Sequence, residues 1–337
     1  MIQEPLPALE HLTLDFDILL EDERPPALPI GFLGGSAPRL RYMRLGGIPF
    51  PTLPTLLSST SDLVDLRLDN IPEDDHISPE AMVVCLASLT KLKFLQIGFL
   101  SELTASYDRI HLPPVTRTVL PALTSFQFEA DSAYLEEFVT QIDSPQLNRI
   151  IIKYLNAALD LRVAQLFMFI DRSDALEKAK YAAVTFSVSS ITFETYLFPE
   201  SYPDWCHISP SIHRLVIARH IPDIDEVFGQ SSKMLSHVIH LKLSANYFSG
   251  ESLLLLRKFT TVRTLHVSKE FASEVALELE DIAGEMVAQV LPVLDFIYLD
   301  GQPVSCVEKF LSARRLSGHP VTLVDTEVEF EERVKSY

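Results

Sequence analysis

An apolar residue followed three and five positions later by two more recurs along almost the whole chain. Clear copies are Leu9-Leu12-Leu14, Leu63-Leu66-Leu68, Leu92-Leu95-Ile97, Leu123-Phe126-Phe128 and Leu147-Ile150-Ile152. They continue at Ile212-Leu215-Ile217, Val238-Leu241-Leu243, Val262-Leu265-Val267 and Leu294-Ile297-Leu299, with weaker copies at Leu40-Met43-Leu45 and Ala183-Phe186-Val188. The count is about eleven units, and the step between first positions ranges from 23 residues (Leu40 to Leu63) to 36 (Leu147 to Ala183). On a strand, residues two apart share a face, so the last two apolar positions point inward and their neighbours outward.

The segments between these strands read as helices. Ser78 can cap a helix with Pro79 at its first position, after which Met82, Cys85, Leu86 and Leu89 fall at i, i+3, i+4 and i+7. Similar stripes are Leu135, Phe138, Val139 and Ile142, then Leu159, Val163, Phe167 and Ile170, then Cys306, Val307, Phe310 and Leu311. The 36-residue step is expected to hold the longest helix, roughly 158–178. One strand plus one helix cannot bury its apolar faces alone, so the units must stack. The expected fold is an α/β leucine-rich-repeat solenoid, curved, with a parallel concave sheet and helices on the convex side. It is expected to run as one body over 1–325, with 326–337 as an acidic C-terminal tail.

The L-x-x-L-x-L units, their uneven length, the Pro-x-Leu openings and the missing Asn ladder, with only Asn246 where it would stand, together resemble the repeat region of fungal F-box/leucine-rich-repeat proteins. That resemblance implies a substrate-recognition module of a ubiquitin-ligase adaptor, in which an F-box recruits a Skp-type adaptor and the repeats hold the substrate. The sequence opens inside a repeat at Leu9 with no F-box helices ahead of it, so the Skp contact is expected only if an F-box lies upstream. The alternative is a leucine-rich-repeat scaffold or regulator with no ubiquitin role.

Twenty-eight Lys and Arg against 46 Asp and Glu give a net charge of −18, which argues against nucleic-acid binding and against docking on an anionic membrane. No apolar run approaches the ~20 residues of a membrane span, and the three cysteines form no C-x-x-C pair, so a cytoplasmic or nuclear location is expected. No enzyme, cofactor or metal is expected. His237 and His240 lie three apart at a strand and should diverge. Cys206-His207 beside Trp205 reads as a loop, Gly31, Gly34 and Gly35 as a turn, and Glu21-Asp22-Glu23 and Asp74-Asp75 as solvated loop charge.

Partner binding is expected on the concave face. The outward residues begin His11, Thr13, Asp15, then Tyr42, Arg44, then Asp65, Arg67, Asp69, then Phe94, Gln96, Gln127 and Glu129. From there they turn basic through Arg149, Lys153, Arg214 and Lys242, with Thr185, Ser187, His240, Thr264 and His266 among them, and end at Phe296, Tyr298 and Asp300. Scattered surface charge produces such runs by chance. The functional alternative is a pocket for an acidic or phosphorylated protein segment, formed by Arg149, Lys153, Arg214, Lys242 and His266, with Phe94, Phe296 and Tyr298 as anchors.

Overall fold

A computed structural model describes residues 4–16, 27–72, 77–99, 116–154, 161–173, 179–187, 190–196, 213–218, 235–245, 255–281, 287, 289–299 and 307–324. They belong to two compact units, Met1–Leu176 and Glu177–Tyr337.

In the first unit the strands are β1 (His11–Asp15), β2 (Tyr42–Gly46), β3 (Asp65–Ile71), β4 (Phe94–Phe99), β5 (Thr118–Val119), β6 (Ser125–Ala130), β7 (Ile142–Asp143) and β8 (Arg149–Tyr154). β5 pairs with β7, and the other six lie side by side in chain order, all parallel. The repeat sets their register. Met43, Leu66, Leu95, Phe126 and Ile150 form one cross-strand ladder, and Leu45, Leu68, Ile97, Phe128 and Ile152 form the next. None of these ten is more than 4% exposed.

The first apolar position has a different task. Leu40, Leu63, Leu92, Leu123 and Leu147 each donate their N–H to the carbonyl three residues back, at 3.0–3.2 Å, which turns the chain into the strand. One carbonyl of the preceding repeat then accepts two successive N–H groups: Glu10 from Arg41 and Tyr42, Arg41 from Val64 and Asp65, Val64 from Lys93 and Phe94, Lys93 from Thr124 and Ser125, Thr124 from Asn148 and Arg149. This shared acceptor fixes each strand's start against its neighbour, and a one-residue slip would turn the apolar ladders outward.

Helices α1 (Leu53–Ser58), α2 (Pro79–Leu86), α3 (Ser132–Gln141) and α4 (Ala164–Ile170) stack on one another in chain order. Their apolar side chains meet the ladder. Phe138 of α3 and Phe169 of α4 lie 5.7 and 6.5 Å from the Phe126 ring, and Tyr134 lies 4.8 Å from Phe99. Ser78 caps α2 through Ala81 N–H as its sequence predicts, and Met82, Cys85, Leu86 and Leu89 are buried. The glycine turn spans Phe32–Gly35 and passes through left-handed backbone, with Leu33 as well as Gly31, Gly34 and Gly35 at positive φ. The expected long helix over 158–178 is not formed: α4 spans seven residues and ends in a turn at Asp171 and Arg172, where Ser173 Oγ donates to Leu147 O at 2.6 Å.

The second unit holds β9 (Tyr181–Ser187), β10 (Ser190–Tyr196), β11 (His213–Ala218), β12 (His240–Ala245), β13 (Thr264–Val267), β14 (Phe296–Leu299) and β15 (Thr322–Val324). β9, β12, β13, β14 and β15 continue the parallel pattern, with the shared acceptors at Lys180, Ile239 and Arg263. Two expectations are corrected. β10, absent from the repeat pattern, runs antiparallel to both β9 and β11, so the sheet is not parallel throughout. The repeat containing Ile212 does not stand between its sequence neighbours, because β12 pairs with β9 directly and β11 lies beyond β10. The register of the weak copy also shifts by four residues: Ala179, Ala182 and Val184 are the inward set, and Ala183 is half-exposed.

Helices α5 (Lys269–Asp281) and α6 (Glu308–Leu316) flank these strands in the chain. Phe271, Ala272, Val275, Ala276 and Leu279 bury one face of α5, the longest described helix. In α6 the buried Arg314 donates to the carbonyls of Val287, Leu291, Pro292 and Leu294 at 3.2–3.4 Å, satisfying the loop that leads into β14. The architecture is an α/β leucine-rich-repeat fold interrupted by one reversed strand.

Candidate functional site

Alternation along β1–β8 leaves one sheet face of the first unit to solvent, and most of its charge is internally matched. Arg67 Nε and Nη2 donate to Asp65 Oδ1 and Oδ2 at 2.9 and 3.0 Å, and its guanidinium lies 4.4 Å from the Phe94 ring centre and 5.5 Å from that of Tyr42. Phe94 is therefore a half-buried platform for an arginine rather than a free anchor. Arg44 Nε stands 3.3 Å from both Asp15 and Asp69, and Gln96 donates to Asp69. Burial pushes the Asp69 carboxyl above its ordinary range, with Arg44 pulling the other way and Asp15 adding to the rise. Lys153 pairs with Glu129 on the neighbouring strand.

Arg149 differs. It opens β8 one strand from Ser125 and two strands from Phe94 in the same cross-strand row. Its Nε, like that of Arg44, is buried with no hydrogen-bond acceptor among the described residues, and the Ser125 Oγ beside it is in the same condition. Among the described residues Arg149 has no carboxylate within ion-pair distance, whereas Arg67 and Lys153 each have one and Arg44 has two.

In the second unit the outward residues form two rows, Tyr181–His240–Thr264–Phe296 and Ala183–Lys242–His266–Tyr298. The Tyr181 and His240 rings stack at 4.5 Å and 8°, and His266 lies 6.0 Å from Tyr298. Burial, helped by Lys180, holds the His240 imidazole below its ordinary pKa. Phe296 is 43% exposed. Lys242, His266, Tyr298 and Phe296 are thus neighbours on one face. The basic run expected without an intervening acid is corrected here: β10 places Glu194 opposite Ala183, in the row that continues to Lys242, and Tyr196 Oη donates to it at 3.0 Å. Arg214 pairs with Glu194 through the backbone, and its side chain lies outside the described residues. Sequence reasoning missed Glu194 because β10 carries no repeat signature. Its signal was two-residue alternation over Ser190–Glu194, Ser-Ile-Thr-Phe-Glu, shortly after the Val184-Thr185-Phe186-Ser187 alternation of β9.

Among the described residues no group of three or more His, Cys, Asp and Glu could hold a metal ion, and no helix is long and apolar enough to cross a membrane. His237 is exposed ahead of β12 while His240 lies on the sheet face. Cys85 is buried in α2, and burial raises its thiol pKa. Glu21-Asp22-Glu23, Asp74-Asp75, Trp205-Cys206-His207, Asn246, Asp300 and the tail 326–337 lie outside the described residues.

No family model matches the sequence, and no curated protein matches it. Solved structures align with the chain, among them the following two. One is the leucine-rich-repeat-containing protein LegL7 from Legionella pneumophila, 13% identical, with a TM-score of 0.35 over 94% of this chain and 92% of that one. The other is an internalin from Listeria monocytogenes, 12% identical, with a TM-score of 0.27 over 84% and 83%. The leucine-rich-repeat fold stands on this chain's own ladders and shared acceptors.

Proposed function

We propose that the chain is a protein-binding repeat module whose sheet face takes an acidic or phosphorylated segment of a partner. The observation that carries this reading is Arg149, a cation with a desolvated Nε–H and, among the described residues, neither an acceptor for it nor a carboxylate partner, on a face where Arg44, Arg67 and Lys153 each have a carboxylate. An unmet buried donor costs about 1–3 kcal/mol, and an incoming carboxylate or phosphate oxygen would remove that cost while adding a charge-assisted bond. Lys242, His266, Phe296 and Tyr298 form a second candidate anchor, while Lys153 and Arg214 enter the reading on sequence position alone.

The test is fluorescence anisotropy with a randomised peptide pool carrying a central Glu-Asp-Glu core. Wild type should bind it, and Arg149→Glu, folded by circular dichroism, should lose about tenfold or more, the loss shrinking as salt rises. Equal binding by the two proteins would refute the reading.

A finer reading, that the module recognises substrates for an F-box-like ubiquitin ligase in the cytoplasm or nucleus, rests on the sequence resemblance. Co-purification of the full-length transcript product with a Skp-type adaptor tests it, and recovery of no adaptor would leave the scaffold or regulator reading.

A further inference from the structure

At the strand-entry edge of the first unit, away from the outward rows of the sheet, lies a cleft of about 320 Å³ lined by Glu10, Arg39, Arg41, Asp62, Val64 and Lys91. Its walls are built by the repeat. Glu10, Arg41 and Val64 are the shared acceptors of successive strands, so their spacing is held by paired backbone hydrogen bonds, one strand apart at about 4.8 Å. Arg39, Asp62 and Lys91 each immediately precede a buried first-position leucine, Leu40, Leu63 and Leu92.

The charges in the cleft do not cancel. Lys91 Nζ lies 2.6 Å from Asp62 Oδ1, and that contact, with Arg41 and Arg39 farther off, holds the Asp62 carboxyl below its ordinary range. Asp62 and Lys91 therefore consume each other. Arg39 and Arg41 are both exposed, and neither side chain makes a hydrogen bond or ion pair among the described residues; Glu10, the remaining acid, is bonded to neither. Two uncommitted guanidinium groups thus share one concavity in a chain of net charge −18.

We infer that this cleft binds the phosphate of a phosphorylated side chain on a partner protein, held by Arg39 and Arg41. The inference rests on the reading of the chain as a peptide-binding module but uses a different site. A phosphomonoester carries about −1.5 to −2 charge at neutral pH and three acceptor oxygens, which suits two planar donor forks better than a single carboxylate does. The volume sits at the lower end of the ~300–1,000 Å³ typical of ligand sites, enough for a phosphorylated side chain. A membrane phosphate is disfavoured because the rest of the molecule would be repelled by an anionic surface.

The experiment compares two randomised peptide pools, one with a central phosphoserine and one with serine, by anisotropy at about 0.15 M salt. Wild type should favour the phosphoserine pool about tenfold or more. Arg39→Glu with Arg41→Glu should reduce that ratio to near one with an unchanged circular dichroism spectrum. Asp62→Asn, which removes the competing acid and releases Lys91, should raise the ratio. The comparison is repeated in an Arg149→Glu background, where the sheet face no longer contributes, and the loss caused by the two arginine variants should persist there. A ratio near one in wild type, or one unmoved by the double arginine variant, overturns the inference; if the Glu-Asp-Glu pool still binds through Arg149, the module reading survives that failure. Vesicles of phosphatidylcholine with phosphatidylinositol 4-phosphate form the third arm. Vesicle binding lost in the double variant would assign the cleft to a lipid and overturn the inference as well.

Discussion

Glu136 is 8% exposed, yet among the described residues it has no cation at ion-pair distance: its Oε2 and Oε1 accept the N–H groups of Gln165 and Leu166, each at 2.8 Å. One side chain of α3 thereby caps the first turn of α4 in the following repeat. Glu136→Ala should cost about 2 kcal/mol in chemical denaturation, because two helix-end donors lose their acceptor. Burial pushes this carboxyl above its ordinary range, against the pull of the two N–H bonds and Arg162. Charging Glu136 therefore costs more in the folded than in the unfolded protein. Its titration contributes stability below the unfolded pKa, and that contribution is lost as pH rises through the folded value. Measured against Glu136→Gln, wild-type stability should decline from about pH 4 upward and then level off; a rise over that window would reverse the assignment. On β12, Leu241 and Leu243 are fully buried with Lys242 outward between them. Leu243→Ala should cost about 2–5 kcal/mol through the cavity it leaves, and Lys242→Ala less than about 1 kcal/mol. Thermal or urea unfolding that ranked them equally would mean the strand's faces are misassigned.

Among the elements, β10 separates this chain from a simple stack of repeats. Ile191, Phe193 and the fully buried Thr195 line its inward face, and Ser190, Thr192 and Glu194 its outward one. Phe193→Ala should destabilise by about 3–5 kcal/mol and expose amides of β9 and β11 to hydrogen exchange together, since both pair with β10. Protection lost in β9 alone would contradict the antiparallel order. Six of the first unit's eight strands were legible in the sequence because the repeat states the same fact six times, each apolar triplet fixing a turn, a direction and a face; the two-residue β5 and β7 carry no triplet, and Ile142 of β7 reads as the end of a helix stripe. β10 was not legible by that route, since a reversed strand needs only alternation and shares no turn chemistry with the repeats. The long helix expected over 158–178 failed for a related reason. Apolar spacing at Val163, Phe167 and Ile170 is real and buried, but periodicity marks a face and does not mark an end. The end lies where Ser173 bonds back to Leu147. On the sheet face, positions could be read but pairings could not: Arg44 and Asp69 are 25 residues apart in sequence and adjacent only through β2–β3 register.

At the scale of the molecule, each repeat draws its stability from its neighbours, so damage should spread through a stack and fade with distance. Leu241→Asp puts an unpaired charge into the inward ladder of the second unit, at a cost of several kcal/mol. Hydrogen exchange should rise first in β9, β12 and β13, its strand partners, while β2–β4 of the first unit keep their protection longer; uniform loss across both units would contradict nearest-neighbour behaviour. The functional account also works at this scale, because a chain of net charge −18 can attract an acidic segment only where cations are left uncommitted. Arg149 and Lys153 stand on the same strand, and among the described residues Lys153 is matched, by Glu129, while Arg149 is not. The direct measurement is the affinity of the Glu-Asp-Glu peptide pool for Arg149→Ala and Lys153→Ala beside wild type, at fixed salt. The account predicts that Arg149→Ala weakens binding about tenfold or more while Lys153→Ala stays within about threefold. Equal losses from the two variants, or none from either, would contradict it.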